Sequence, residues 1–568
     1  MNAPKTVRFN GWVLRTDSGE LHRAGKVTRL QQQSLRVLVA LLDRPGEVVS
    51  REKLITGLWP GAVVDYETGL NTIVRKLRAA LEEDADEPRY IETIPRRGYR
   101  FIGRIDSVVA GREADSLAVL PFRALVPDSA SPALALGLAD TLITQLSRIP
   151  GLRVSSLFAV RPFDTADCDT LAAGRALRVD VILEGSLQAD AQRVRISARL
   201  LRVADGRALW SDDFDQPMTS LFEVQDAVAR KVVAALSVRL SPEQTRHMTQ
   251  PATSSMVAYR HYVSGLYLWQ RRSQEAAAQF EAALREDPQY AAAWAGLAGA
   301  LAAQAVYGHA PPGLVFPRAK EAALRAVDLD PDSAQARTAL AHVLVQYERR
   351  YQDGELEYLR ALSLDPSNAN TWMRLALVRV MLGRLDDALV DMTRARSLEP
   401  MTLSLTTNLG LLLYLMRDYA AAERELDYVL ELDPSLDTAR AVLGRVLLAR
   451  GDTDGAIREF RKQRGPVPGG DGDVGRAYAA AGRRKEARAE VKRLERRATE
   501  GYGVAYDLAG IFAALGETRA ACEALRRALE DNSQLLGFMG SDPAMDPLRR
   551  EACFVEVERR LSAGGRPS

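Results

Sequence analysis

Apolar and polar positions alternate in four short runs between Val7 and Leu30 (VRF, WVLRT, ELHR, KVTRL), broken at Asn10-Gly11 and Ser18-Gly19, and predict short strands. The period then lengthens. Leu30 to Asp43 repeats at helical spacing and ends at Pro45-Gly46. Ser50 is placed to N-cap a short helix, Arg51 to Leu58, that Pro60-Gly61 stops. From Glu67 to Glu82 (ETGLNTIVRKLRAALE), Leu70, Ile73, Val74, Leu77 and Leu81 mark the face of a helix turned to a core. Its other face carries Asn71, Thr72, Arg75, Lys76 and Arg78. A basic strand–turn–strand, Arg89 to Ile102, follows with Gly98 in its turn, and then a polar linker from Asp106 to Asp115.

A second pattern begins near 116. The apolar run SLAVLPF (116–122) precedes a helical stretch, Leu136 to Ile149. Strand-like segments at 179–188, 193–203 and 207–215 and a helix from Leu221 to Leu240 complete an α/β unit. Beyond it the chain repeats. Pro288, Pro331, Pro366, Pro400, Pro434 and Pro468 are spaced 43, 35, 34, 34 and 34 residues apart, the first five after acidic residues. A 34-residue period of paired helices is the tetratricopeptide signature. The repeat ending at Pro400 carries Trp372, Leu375, Ala376, Gly383, Ala388 and Ala395 at the expected large and small positions. The nine extra residues before Pro331 are expected in a loop at 308–316 (GHAPPGLVF). Gly465 to Gly472 reads as a weakened junction, after which helical pairs resume to give about eight repeats. The predicted fold is therefore multidomain: a small α+β unit, an α/β middle domain and an all-α solenoid.

Composition adds little until it is read locally. The apolar fraction of 47% and net charge of +2 are those of an ordinary soluble protein. Residues 1–106 hold 18 Lys/Arg against 14 Asp/Glu, and the acidic cluster Glu82 to Glu87 leaves the helix and hairpin basic. Cys168, Cys522 and Cys553 lie far apart without a C-x-x-C pair, so a reducing compartment is expected, with neither a disulfide framework nor a thiolate zinc site. The polar N-terminus lacks a secretory h-region, and the apolar run Ala291 to Tyr307 fits a repeat helix better than a membrane span. The expected location is the cytoplasm.

The order VVSREKLITGLW, IVRKLRAAL, TIPRRGYRFIG resembles the OmpR/PhoB-type winged helix-turn-helix of bacterial transcription factors over about residues 5–104. The resemblance implies a third helix in the major groove of double-stranded DNA and a hairpin wing at the minor groove. It makes Asn71, Thr72, Arg75, Lys76 and Arg78 the groove-facing set and assigns Arg96, Arg97 and Arg100 to the wing. Arg51, at the start of the second helix, is expected to touch phosphate. Pro95-Arg96-Arg97 departs from the commoner R-G-x-G-Y wing. AVLPF, GLADTLITQLSRIPGLRV, VILEGSLQ and LFEVQDAVA resemble a TolB-N-like domain at 116–240, with repeats at 256–535 and a C-terminal cap and tail at 536–568, where SDPAMDPL is similar to the ending of such arrays.

The implied function is a sequence-specific DNA-binding regulator whose output is controlled through the middle domain and repeats. Implied partners besides DNA are a protein or peptide at the array, RNA polymerase and a second copy of the chain, with no membrane. Polar residues such as Arg337, Asn368, Asn370 and Asn408 are candidates for the array's inner surface. The rivals are a signalling protein related to repeat-containing nucleotide cyclases and a scaffold whose winged helix binds only protein. No catalytic signature stands out, and no cofactor or metal is expected. Asp452-Thr453-Asp454-Gly455 lacks the later ligands of a calcium loop, Gly469-Gly470-Asp471-Gly472 lacks the following Lys and Ser/Thr of a phosphate loop, and the five histidines are unpaired in sequence.

Overall fold

The computed structural model describes residues 6–562 apart from 17–18, 24–25, 43–44, 59–66, 85–86, 96, 104, 110–113, 126–130, 150, 166–167, 191, 239, 242–243, 246–247, 249–251, 271–272, 307–308, 466, 468–469, 471, 501–502 and 532. The chain divides into an N-terminal unit, up to Ala114 with Leu236–Val238, and a larger unit made of the rest from Asp115 onward.

In the N-terminal unit, β1 (Thr6–Phe9) and β2 (Trp12–Arg15) form a hairpin whose two turn residues, Asn10 and Gly11, both have positive φ (44° and 78°), as a tight twisted hairpin requires. β3 (Glu20–Arg23) and β4 (Lys26–Arg29) extend this antiparallel sheet. Its other edge is β8 (Ile105–Val109), paired with β1. This corrects the expected linker at Asp106 to Asp115: the polar run hides a strand, because an edge strand shows little apolar periodicity. Three helices follow the sheet, α1 (Gln32–Leu42), α2 (Arg51–Leu58) and α3 (Glu67–Ala80), and Ser50 Oγ caps α2 by accepting from Lys53 N at 3.2 Å. A second sheet joins β5 (Val48–Ser50), β7 (Gly98–Phe101) and β6 (Ile91–Ile94) in the order β5-β7-β6. Phe9 meets Tyr90 and Phe101 edge-on at 5.8 and 5.2 Å, which ties the hairpin to the first sheet. Pro60-Gly61, the expected stop of α2, lies outside the described residues.

The larger unit begins with a six-stranded mixed sheet in the order β11-β9-β12-β13-β14, with β10 also paired to β12: β9 (Ser116–Val119), β10 (Arg123–Ala124), β11 (Arg153–Val154), β12 (Val181–Ala189), β13 (Arg193–Arg202) and β14 (Ala208–Pro217). Helices α4 (Ser131–Ser147), α5 (Leu157–Val160), α6 (Thr170–Ala176) and α7 (Leu221–Ala235) complete this domain. Among the described residues, eight helical pairs then run from Met256 to Glu530. Four of the acidic residues before the repeat prolines share a local task. Asp287, Asp330, Asp365 and Asp433 each accept from the backbone N–H two residues on, closing the turn between pairs. Six residues after four of these prolines, a side-chain N–H of Trp294, Arg337, Trp372 or Arg440 donates to the proline carbonyl. Leu375, Ala376, Ala388 and Ala395 are fully buried where paired helices meet.

Two further expectations change. The insertion at 308–316 is largely helix, because a helix starts at Pro312, where proline suits the first turn, and runs to Leu329. Val315 and Phe316 are buried in it, and Phe316 stacks on Tyr347 at 5.1 Å. The extra residues therefore lengthen a helix. Second, Cys522 and Cys553 form a disulfide, with Cα atoms 5.6 Å apart and a sequence separation of 31. The expectation of a reducing compartment without disulfides is thereby corrected: two cysteines distant in sequence meet because the helix Ala552–Ser562 packs back on the helix Thr518–Glu530. Pro468 and part of the 465–472 junction lie outside the described residues.

Candidate nucleic-acid interface

α3 divides cleanly. Leu70, Ile73, Val74, Leu77 and the following Leu81 are 0–6% exposed, whereas Asn71, Arg75 and Lys76 are exposed and Thr72 is half-buried. Asn71 and Arg75, like Thr72 and Lys76, are four apart and share one surface stripe. At the N-terminal end of that stripe the Asn71 amide oxygen accepts from Arg51 Nη1 (3.0 Å) and the Tyr99 hydroxyl (2.7 Å). The Arg51 guanidinium also lies 5.1 Å from the Tyr99 ring centroid. One node thus links the start of α2, the middle of α3 and a wing strand. Lys76 Nζ donates to Gln31 Oε1 at 3.2 Å, just ahead of α1. Arg75 is exposed on the same face and has the longest reach toward an external phosphate or base edge.

Arg78 sits differently from its neighbours. It is half-buried, and its Nη2 donates to the Ile91 carbonyl at 2.6 Å and to Thr93 Oγ1 at 3.0 Å, so these donors hold β6 to α3. Glu83, inside the acidic cluster, is the residue that sequence patterning missed. Its buried Oε1 accepts the successive backbone N–H groups of Arg89, Tyr90 and Ile91 at 2.6, 2.6 and 3.0 Å. The carboxylate pins the wing's entry to the end of α3. A run of acids in sequence carries no sign that one of them points inward.

In the wing, Arg97 is exposed at the turn and Arg96 lies outside the described residues. Arg100 is paired across the strands with Glu92, Nε and Nη2 reaching Oε2 at 2.8 and 2.6 Å. Gly98 is the first strand residue rather than part of the turn. A Cβ there would lie 2.0 Å from the Val49 carbonyl oxygen, so only glycine lets β5 and β7 approach.

The proposed inner-surface residues of the repeats divide as well. Arg337 donates to Pro331 O and to Glu357 (2.8 and 2.9 Å), Asn368 caps its helix by accepting from Thr371 N (3.0 Å), and Asn408 Nδ2 donates to Ser404 O (2.8 Å). Those groups serve the fold, while Asn370 is exposed.

Residues 25–101 match the transcriptional regulatory protein C-terminal family. Residues 113–231 match the second domain of HilA/YgeH-like transcriptional regulators. Residues 266–305, 344–396 and 407–469 match tetratricopeptide repeats. Over 410 residues the chain is 26% identical to the transcriptional regulator HilA of Salmonella typhimurium, covering 70% of this chain and 71% of that one. Over 167 residues it is 32% identical to a putative adenylate cyclase 3 of Rhizobium meliloti, covering 29% of this chain and 27% of the cyclase. Among solved structures, the DNA-binding domain of Escherichia coli CadC is 28% identical, with 18% of this chain and 97% of that one covered and a TM-score of 0.17.

Proposed function

We propose that the chain is a regulator of the OmpR/PhoB winged-helix type with a HilA-like second domain and C-terminal tetratricopeptide repeats, and that α3 reads a promoter through Asn71, Thr72, Arg75 and Lys76. The observation that carries this reading is the Arg51–Asn71–Tyr99 node, which fixes one end of an exposed basic stripe whose opposite face is buried. Arg97 and Arg96 supply wing charge. Arg51 lends its guanidinium to the node and to phosphate. Arg78 and Arg100 act chiefly by holding the wing in place. A double-stranded site then gains a salt-dependent phosphate term and a few base contacts of about 1–3 kcal/mol each.

The first domain, 5–104 as read from sequence and extended by β8 to Val109, is assigned the output, and the divisions 116–240, 256–535 and 536–568 the control. A partner at the repeats, self-association and contact with RNA polymerase belong to the same reading, as does a cytoplasmic site of action. Among the described residues no helix is long and apolar enough to cross a membrane. The cyclase likeness leaves most of that enzyme unmatched, so it lends no catalytic step to this chain.

The test is DNA binding by Arg75→Ala/Lys76→Ala. Specific binding falls at least tenfold and the slope of affinity against salt becomes shallower, with the helical circular dichroism unchanged. Promoter binding equal to that of the unmodified chain refutes the assigned face.

A further inference from the structure

The segment after the last repeat helix does more than cover the end of the array. It leaves the helix Thr518–Glu530, forms two 3-10 turns at Gln534–Phe538 and Pro543–Leu548, and returns in the helix Ala552–Ser562. A terminal cap need touch only the final pair. This strap also touches the first helices of two earlier pairs, Ala369–Met381 and Leu403–Leu415, besides Ala505–Ala514 of the last, and such helices line the inner surface of the array. Gly537 lies against Met381, and Phe538 packs on the cluster that contains Leu412 and Tyr414. Tyr414 and Tyr506 donate their hydroxyls to the two oxygens of Asp542 at 3.2 and 2.9 Å. Arg417 grips Asp546 with two hydrogen bonds of 2.7 Å each.

The charges beneath the strap show what this surface accepts. Arg445 and Arg476 extend from two neighbouring first helices and are 11% and 12% exposed, and both pair with the buried Asp473. Two buried guanidiniums therefore face one carboxylate of the repeats, and Asp542 brings the second negative charge against them. A carboxylate set beside two guanidiniums that are 11% and 12% exposed is favoured there over a neutral side chain.

We propose that the inner face from Met381 to Tyr506 is a docking surface for a partner segment bearing two aspartates four residues apart, and that the chain's own strap, through Asp542 and Asp546, occupies it until such a partner takes its place. This deepens the proposed control through the repeats and rests on that reading. The four-residue spacing sets one carboxylate over the Tyr414–Tyr506 pair and the other at Arg417.

The experiment uses the full chain and a labelled peptide of residues 533–549 as probe. In Asp542→Ala/Asp546→Ala, the strap's amides should lose protection from hydrogen exchange. The peptide should bind this variant at least tenfold more tightly than the unmodified chain, and a peptide with both aspartates changed to asparagine should not bind. Equal binding to both chains, binding to neither, or a strap that stays protected overturns the proposal. If that variant loses its cooperative helical melting, Asp542→Asn/Asp546→Asn, which keeps the shape of the strap and removes only its two charges, takes its place under the same criteria. Promoter affinity measured in parallel separates the outcomes, because a failed docking surface leaves the response to Arg75→Ala/Lys76→Ala intact.

Discussion

At the scale of single residues, the basic side chains of the N-terminal unit have separate tasks that their spacing does not reveal. Arg75 and Arg78 are three apart on one helix, yet one is exposed and the other bonds β6. What separates them is the hairpin, which lies over one end of α3. Glu83 shows the same principle with the opposite charge. Glu83→Ala leaves the N–H groups of Arg89, Tyr90 and Ile91 without their acceptor. The expected loss is about 3 kcal/mol of unfolding free energy, since buried donors stripped of a charged partner cost 1–3 kcal/mol or more each and water recovers part. Denaturant titration of the N-terminal unit checks the loss, and faster exchange at 89–91 locates it.

Between elements, two junctions of the larger unit are open to test. α4 meets the first repeat helix, Met256–Gln270, where the Tyr262 hydroxyl donates to Asp140 Oδ2 at 3.0 Å. Burial raises the Asp140 carboxyl to about 6, and the Tyr262 hydrogen bond pulls the other way. The folded chain thus holds this proton more tightly than the unfolded one. Stability is greatest below the unfolded value near 4 and declines as pH rises through 6, so ionised Asp140 costs at most about 3 kcal/mol at neutral pH. Asp140→Asn should accordingly raise the melting temperature at pH 7.5 and give no gain at pH 4. The reverse ordering would place the carboxylate in a favourable setting. The second junction is the disulfide between the helices Thr518–Glu530 and Ala552–Ser562. Cys522→Ser should lower stability by about 3–4 kcal/mol on loop-entropy grounds, measured against the oxidised chain. An unchanged denaturation midpoint would mean that packing alone holds the last helix.

For the molecule as a whole, the first separable piece ends later than sequence patterning suggests. β8 pairs with β1 and belongs to the N-terminal unit. A fragment of residues 1–114 should fold cooperatively and bind the same DNA, whereas one ending at 104 loses the edge strand and should melt lower. If control resides in the remainder, the longer fragment binds its promoter but no longer regulates it in cells. Normal regulation by the fragment would remove the control role from residues 115–568.

Sequence by itself determined the class of each part, because local periodicity records which face of an element leaves water. The buried face of α3, the Asn10-Gly11 hairpin, the Ser50 cap and the repeat period are local facts written in neighbouring residues. Tertiary structure decided what depends on distant residues meeting: Arg78 in the wing's support, Glu83 turned inward, β8 on the sheet, Cys522 beside Cys553, and the strap laid across the first helices of three repeats. Hydrogen bonds and ion pairs act over a few ångströms in space, and chain order is silent about which side chains come that close.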